Sequence, residues 1–264
     1  MEQNLVLMLV FLLVSILFSM LGLGGGILYV PILFFAGFGM TEAPGISLIL
    51  ITATSLAALF TFLENRKVDW KLAMVIDPPT DIMAFVGGYC NALIPESVLH
   101  SLLVIVLLIA GTLMLRNTRI GTVPDSVDNH WWRWQRNFKG KYYSVNLPLV
   151  LMATALIGLV SGMLGITGGI IKLPIMVLLC GVPMDIAVAT STVMVAATAI
   201  SGLVGHAING QVDWKVGLLL AGAAVVGGFL GSRISISMDK SRLKRWFGIV
   251  VYMVALRMIS QLIW

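Results

Sequence analysis

The sequence predicts an all-α polytopic membrane protein built from two homologous halves, and three observations carry that prediction. Of the 264 residues, 59% are apolar and 11% charged, and the mean hydropathy of +1.00 lies far from a soluble domain's balance. Apolar runs that can cross about 30 Å of hydrocarbon, roughly 17–25 residues as a helix, recur at 44–63, 72–93, 98–115, 147–163, 186–207, 215–236 and 246–263. Two stretches nearly repeat each other: LGLGGGILYVPIL over Leu21–Leu33 and LGITGGIIKLPIM over Leu164–Met176.

Each repeated stretch sets a glycine cluster inside an apolar segment and follows it with a proline, so each marks a helix broken within the membrane. A break there bares backbone donors and acceptors that lipid cannot satisfy, whereas a polar solute or protein-lined cavity can. Region 5–37 supports the same reading, because 33 helical residues would span about 50 Å, too much for one crossing. It is expected to fold at Gly22–Gly26, with Ile27–Gly37 returning wholly or partly. Segments 147–163 and 170–180 would do likewise in the second half, for about 8–10 membrane segments in all. Whether the returning pieces span fully or are re-entrant stays open.

The repeat extends beyond the glycines. At an offset of 143 to 144, Val68-Asp69-Trp70-Lys71 falls on Val212-Asp213-Trp214-Lys215, and Pro95–Leu99 lies opposite Asp239–Leu243. The expected division is a first transmembrane repeat over 1–115, a connector over 116–145 and a second repeat over 146–264. Asn65 and Asn209, like Asp69 and Asp213, align across the halves as loop anchors and caps. In the connector, Trp131, Trp132, Trp134, Tyr142 and Tyr143 mix with Arg133, Arg136, Lys139 and Lys141, the composition of an interfacial belt on a membrane surface. The chain begins MEQN with no basic n-region, which reads as a first span rather than a cleaved signal peptide.

The net charge of +5 belongs to short loops, so it reads as a topology signal and not as a nucleic-acid footprint. Loops 64–71 and 233–245 together with the connector hold fourteen of the 17 basic residues. All three share a cytoplasmic side only if each half crosses an odd number of times. That is an inverted repeat in the cell (plasma or inner) membrane, with both termini outside. The alternative is one bent span per half, with parallel halves and eight crossings. Cys90 and Cys180 are isolated, and His100, His130 and His206 lie far apart. No disulfide framework, metal site, cofactor or catalytic cluster is therefore expected, and an enzyme is disfavoured.

The glycine motifs with Pro31 and Pro174, the Ala189-Thr190-Ser191 run, both Val-Asp-Trp motifs and the Gly227-Gly228…Gly231 cluster resemble the TauE/SafE family over nearly the whole chain. The resemblance implies a secondary transporter of small anions, often sulfur-containing ones such as sulfite or organosulfonates, working by alternating access. An anion channel is the competing reading. The resemblance is imperfect where Ile76-Asp77-Pro78-Pro79-Thr80-Asp81 is more acidic than the family pattern.

Candidate substrate-binding positions follow from the breaks. Gly24, Gly25, Gly26, Gly168 and Gly169 would let backbone N–H groups approach an anion, against the alternative that they only pack helices. Lys172, three positions past the second glycine pair, is the candidate counter-charge, unless it snorkels or pairs with Asp77 or Asp81. Tyr29 holds the matching place. Thr52, Thr54 and Ser55, Thr190, Ser191 and Thr192, and Thr167 in the break offer hydroxyl donors, although such residues also bond back to their own helix. Asp77, Asp81 and His206 are the candidates for coupling, with interfacial exposure of the aspartates and a structural histidine as alternatives. The partners expected are a small anion (sulfite, sulfonate or carboxylate), membrane lipid, coupling protons or sodium, and a second copy in a homodimer, but not nucleic acid.

Overall fold

The computed structural model describes residues 2–21, 26–65, 67–115, 132–166, 168–235 and 240–263, with side chains described from residue 6 onward and, in the last helix, over 246–260. The helices are α1 (Glu2–Met20), α2 (Gly26–Phe35), α3 (Ala43–Glu64), α4 (Trp70–Ile76), α5 (Pro78–Cys90), α6 (Glu96–Leu115), α7 (Leu147–Leu164), α8 (Gly169–Pro174), α9 (Met184–Ile208), α10 (Trp214–Ser235) and α11 (Lys240–Ile263). Among the described residues, α3, α6, α7, α9 and α10 are long and apolar enough to cross a membrane, and shorter apolar helices lie beside them. Much of the outer surface stays apolar, with Leu13, Phe60, Met152, Leu156 and Leu218 all at least 60% exposed, as expected where lipid is the solvent.

Prolines and glycine set the interruptions. Pro78 and Pro79 have no N–H to offer the carbonyls of Met74 and Val75, so the expected span 72–93 is divided into α4 and α5 at Asp77. Its counterpart α10 has no proline and runs unbroken. Pro174 ends α8 and leads into a π-helical turn over Ile175–Leu179. Gly165 caps α7 with φ 62°, a left-handed conformation natural to glycine, and its carbonyl accepts from Ser47 Oγ at 2.6 Å. Asp69 caps α4 through Lys71 N and Leu72 N, while Asp213 caps α10 through Lys215 N and Val216 N.

The main helix contacts are α5 with α7, α1 with α10, α3 with α10, α5 with α9, α3 with α9 and α6 with α11. The offset of 144 carries α1 to α7, α3 to α9, α4–α5 to α10 and α6 to α11. Exchanging the halves therefore returns the same set of contacts. Glycine makes the seams close: Gly162 and Gly158 of α7 lie against the Ala84 and Thr80 backbone of α5, and Gly231 of α10 lies against the Ile16 backbone of α1. In one seam Gly88 meets Gly202, and Gly205 meets the Phe85 carbonyl; in its counterpart Ser232 donates to Thr61 at 2.8 Å, a bond of about 0.6 kcal/mol in a bilayer.

The directions of α3 and α9 are opposite. Thr190, near the start of α9, accepts from Asp69 N at 3.0 Å just beyond the end of α3. A Cβ at Gly45, at the start of α3, would meet the Gln211 carbonyl at 2.9 Å, just beyond the end of α9.

The connector contains structure that its composition did not announce. Arg133–Phe138 (β1) pairs antiparallel with Lys141–Asn146 (β2) through Lys139-Gly140, both at positive φ. Trp134, Arg136, Phe138, Tyr143 and Val145 share the face turned toward the bundle, while Tyr142 on the other face is 73% exposed. Tyr143 and Val145 are buried against Leu72, Ile76, Met176, Val177 and Ile186, so protein rather than a membrane surface covers this part of the expected belt. Of the expected belt, Trp131 lies outside the described residues. Cys90 and Cys180 are free thiols, the latter buried.

Candidate functional site

Asp77, exposed to its neighbours by the proline break, meets Lys172 from α8. Lys172 Nζ lies 2.5 Å from Asp77 Oδ1 and donates to Thr198 Oγ1 of α9 at 3.0 Å. Thr198 in turn donates to Asp81 Oδ1 at 2.9 Å, one turn along α5 from Asp77. Lys172 is 1% exposed and Asp77 5%, whereas Asp81 is only partly buried. In so apolar a setting an isolated ammonium is untenable, and its carboxylate partner makes it tolerable. Of the two alternatives open to Lys172, the structure displays the pair with Asp77.

The matching place in the first half is neutral. Tyr29, the counterpart of Lys172, is fully buried, and its hydroxyl lies 3.0 Å from Thr54 Oγ1, with Phe11 edge-on at 5.3 Å. At the offset of 144, Ala221 and Val225 stand where α5 has Asp77 and Asp81. Thr54 corresponds to Thr198, a residue that sequence reasoning passed over because Thr52, Thr54 and Ser55 were set opposite the Thr190–Thr192 cluster by their content. The offset already set by the Val-Asp-Trp motifs would have found it.

The remaining candidates go elsewhere. Thr52, Ser191 and Thr192 donate to carbonyls of their own helices, Leu48 for the first and Val188 for the others. Thr190 receives Asp69 N about 12 Å along α9 from Thr198. Ser55 Oγ is buried without a hydrogen-bond partner. His206 is buried with Nε2 2.9 Å from the Gly162 carbonyl and Nδ1 3.1 Å from Gln211 Oε1, tying α9 to α7 about two turns from Thr198. Gly24, Gly25 and Thr167 lie outside the described residues. Gly26 and Gly169 begin α2 and α8 and are buried. Gly168 lies against the lysine stem: a Cβ there would be 3.4 Å from Lys172 Cε and 2.7 Å from Ile157 Cγ2. The helices that follow the two glycine motifs approach each other, since Ile27 of α2 joins Gly168, Ile170 and Ile171 in lining one apolar cavity of about 270 Å³.

A second polar cluster sits outside the spans. Arg136 of the hairpin forks onto both oxygens of Asp69, Nε to Oδ2 at 3.0 Å and Nη2 to Oδ1 at 2.9 Å, and the Tyr143 hydroxyl donates to Oδ2. Burial alone would raise the Asp69 carboxyl, yet the bonds from Arg136, Tyr143 and Leu72 N hold it below the usual carboxylate range. Ser144 N also donates to the Cys180 carbonyl at 3.2 Å, so the hairpin holds the start of α4 and the end of the π turn after α8 together. Sequence reasoning saw Asp69 as a cap and Arg136 as a surface charge, because nothing in their spacing joins residues 67 apart.

A bundle of apolar helices, interrupted where it buries a lysine against an aspartate, is the architecture of a multi-pass membrane transport protein. The profile of the sulfite exporter TauE/SafE family matches residues 7–258, and the chain belongs to that family, as its glycine and Val-Asp-Trp motifs imply. It is 26% identical over 253 residues to the probable membrane transporter protein YunE of Bacillus subtilis, covering 92% of each chain. It is also 26% identical over 234 residues to the probable membrane transporter protein YfcA of Escherichia coli, covering 86% of this chain and 79% of that one. A probable membrane transporter protein of Xylella fastidiosa is 36% identical over 115 residues, 43% of this chain and 44% of that one. No solved structure matches.

Proposed function

We propose that this membrane transporter is a secondary carrier of small anions, sulfite or an organosulfonate, and that its two inverted halves give alternating access to one site at Lys172. The observation that carries the reading is a buried ammonium on the short helix after a chain break, held by a carboxylate from another helix that an incoming anion can replace. Thr198 supplies a hydroxyl beside the same nitrogen, and Gly168 leaves room beside the lysine stem. The antiparallel course of α3 and α9 supports the inverted arrangement. So does the meeting of Arg136 with Asp69, which brings the connector to loop 64–71, and of Ser232 with Thr61, which brings the end of α10 to the end of α3. On this reading the three basic loops face the cytoplasm and both termini lie outside.

The test is counterflow in liposomes reconstituted with the purified chain. Saturable exchange of sulfite or methanesulfonate against the same anion is the expected result. Conductance without saturation would indicate a channel instead, and no flux of any sulfonate, sulfite or carboxylate would overturn the anion reading.

A further inference from the structure

Resting on the anion-carrier reading above, we infer that the proton is the coupled ion and that it binds Asp77: one proton on this carboxylate releases Lys172 to receive one anion, so the two cross together.

The argument starts from charge balance at a place that water scarcely reaches. In the structure Lys172 and Asp77 neutralise each other at 2.5 Å, so the fully buried pair is neutral, and Asp81, only partly buried, lies outside it. An anion added to that pair would set two negative groups against one ammonium, with Asp81 a third at one hydroxyl's remove. A proton added without an anion would leave the ammonium unpaired. Only the states carrying both or neither avoid an uncompensated charge in a low-dielectric interior. Binding of proton and anion is therefore mutually favourable, and by linkage each strengthens the other by the same factor. The bookkeeping closes: a proton from water forms the Asp77 O–H bond, the Lys172–Asp77 contact opens, and the anion takes the vacated N–H donor.

Among the described residues, the surroundings of Asp77 leave no other group for this task. Lys172 faces it from α8, and Asp81 stands one turn along on α5. Helix α7, packed against α4 and α5, has no charged or titratable residue. Of the two such residues on α9, Asp185 pairs with Lys141 at the surface and His206 is committed to Gly162 and Gln211. Lys71 lies at the other end of α4. Thr198 donates its single hydroxyl hydrogen to Asp81, which turns an oxygen lone pair toward Lys172 and holds the nitrogen in place while its carboxylate partner changes. Asp81, at the end of this chain, is only partly buried.

Sodium fits the cluster poorly. The Lys172 ammonium already takes the Asp77 oxygen and the Thr198 lone pair that would ligate it.

The experiment uses the full chain in liposomes that enclose a pH-sensitive dye, with methanesulfonate and isethionate as probes because neither carries a proton near neutral pH. An inward gradient of either anion is expected to acidify the lumen without a membrane potential, and an imposed inward proton gradient to accumulate the anion. Apparent affinity should fall about tenfold per pH unit once Asp77 is mostly ionised, since only the protonated fraction is competent. In Asp77→Asn, exchange should lose that pH dependence and anion movement should no longer carry protons. Counterflow in wild type with no lumenal acidification, or accumulation that follows a sodium gradient and vanishes in choline, overturns the proton assignment while leaving the carrier reading intact. Absence of counterflow for every anion overturns the carrier reading itself, and the coupling with it.

Discussion

Replacing Lys172 by methionine isolates the energetics of the buried pair. The substitution keeps the unbranched stem that packs beside Gly168 and removes the ammonium 2.5 Å from Asp77. Removing one member of a buried ion pair costs about 3–5 kcal/mol because the other is left uncompensated. A second route gives a similar figure. An abandoned carboxyl can take a proton, and protonating one of ordinary pKa about 3.9 at pH 7 costs about 4 kcal/mol, at about 1.4 kcal/mol per unit. The same step at pH 5 costs only about 1.5 kcal/mol. The folded variant then holds a proton that the unfolded chain does not, so its stability falls as pH rises, and the penalty should grow between pH 5 and 7. Lys172→Met with Asp77→Asn removes both charges, and the double variant should return to within about 1 kcal/mol of wild type. Denaturant unfolding in detergent, followed by tryptophan fluorescence, measures wild type, Lys172→Met and the double variant. A single-variant loss below about 1 kcal/mol, or one equal at both pH values, would refute the reasoning.

Three further outcomes are expected. Arg136→Gln should weaken the hold on Asp69 by about 1.5–3 kcal/mol, the range for a hydrogen bond to a charged group; hydrogen exchange across 133–146 should rise. Because the Asp69 carboxyl titrates below its usual range, the wild-type advantage over this variant should persist through mildly acidic pH and shrink only as pH falls through that depressed value. Gly165→Ala must place a Cβ at φ 62° against the Pro44 backbone, so it should lose more than the roughly 1–2 kcal/mol of the left-handed conformation alone; equilibrium unfolding reads this. On the proposed anion-carrier function, Thr198→Val should raise the KM for methanesulfonate, and Thr198→Ser, which restores the hydroxyl, should recover it; equal KM in the valine variant would remove Thr198 from the proposed site.

Much of this protein was legible without coordinates because in a bilayer composition and length leave few choices. Backbone groups facing lipid must be paired internally, so most apolar runs marked helices to within a few residues, although run 72–93 is two helices and the helix of run 246–263 begins at Lys240. Lys172 was legible for the same reason: a charge in an apolar run is costly, and the short list of acids able to offset it already contained Asp77. What only the tertiary structure decided were the partnerships between distant residues. Thr198 joins Lys172 to Asp81, Arg136 crosses from the connector to Asp69, and Tyr29 closes a neutral counterpart to the charged site. Those contacts depend on how two similar halves pack side by side. Helical period and hydropathy constrain each helix on its own and are indifferent to which face of a neighbour it meets.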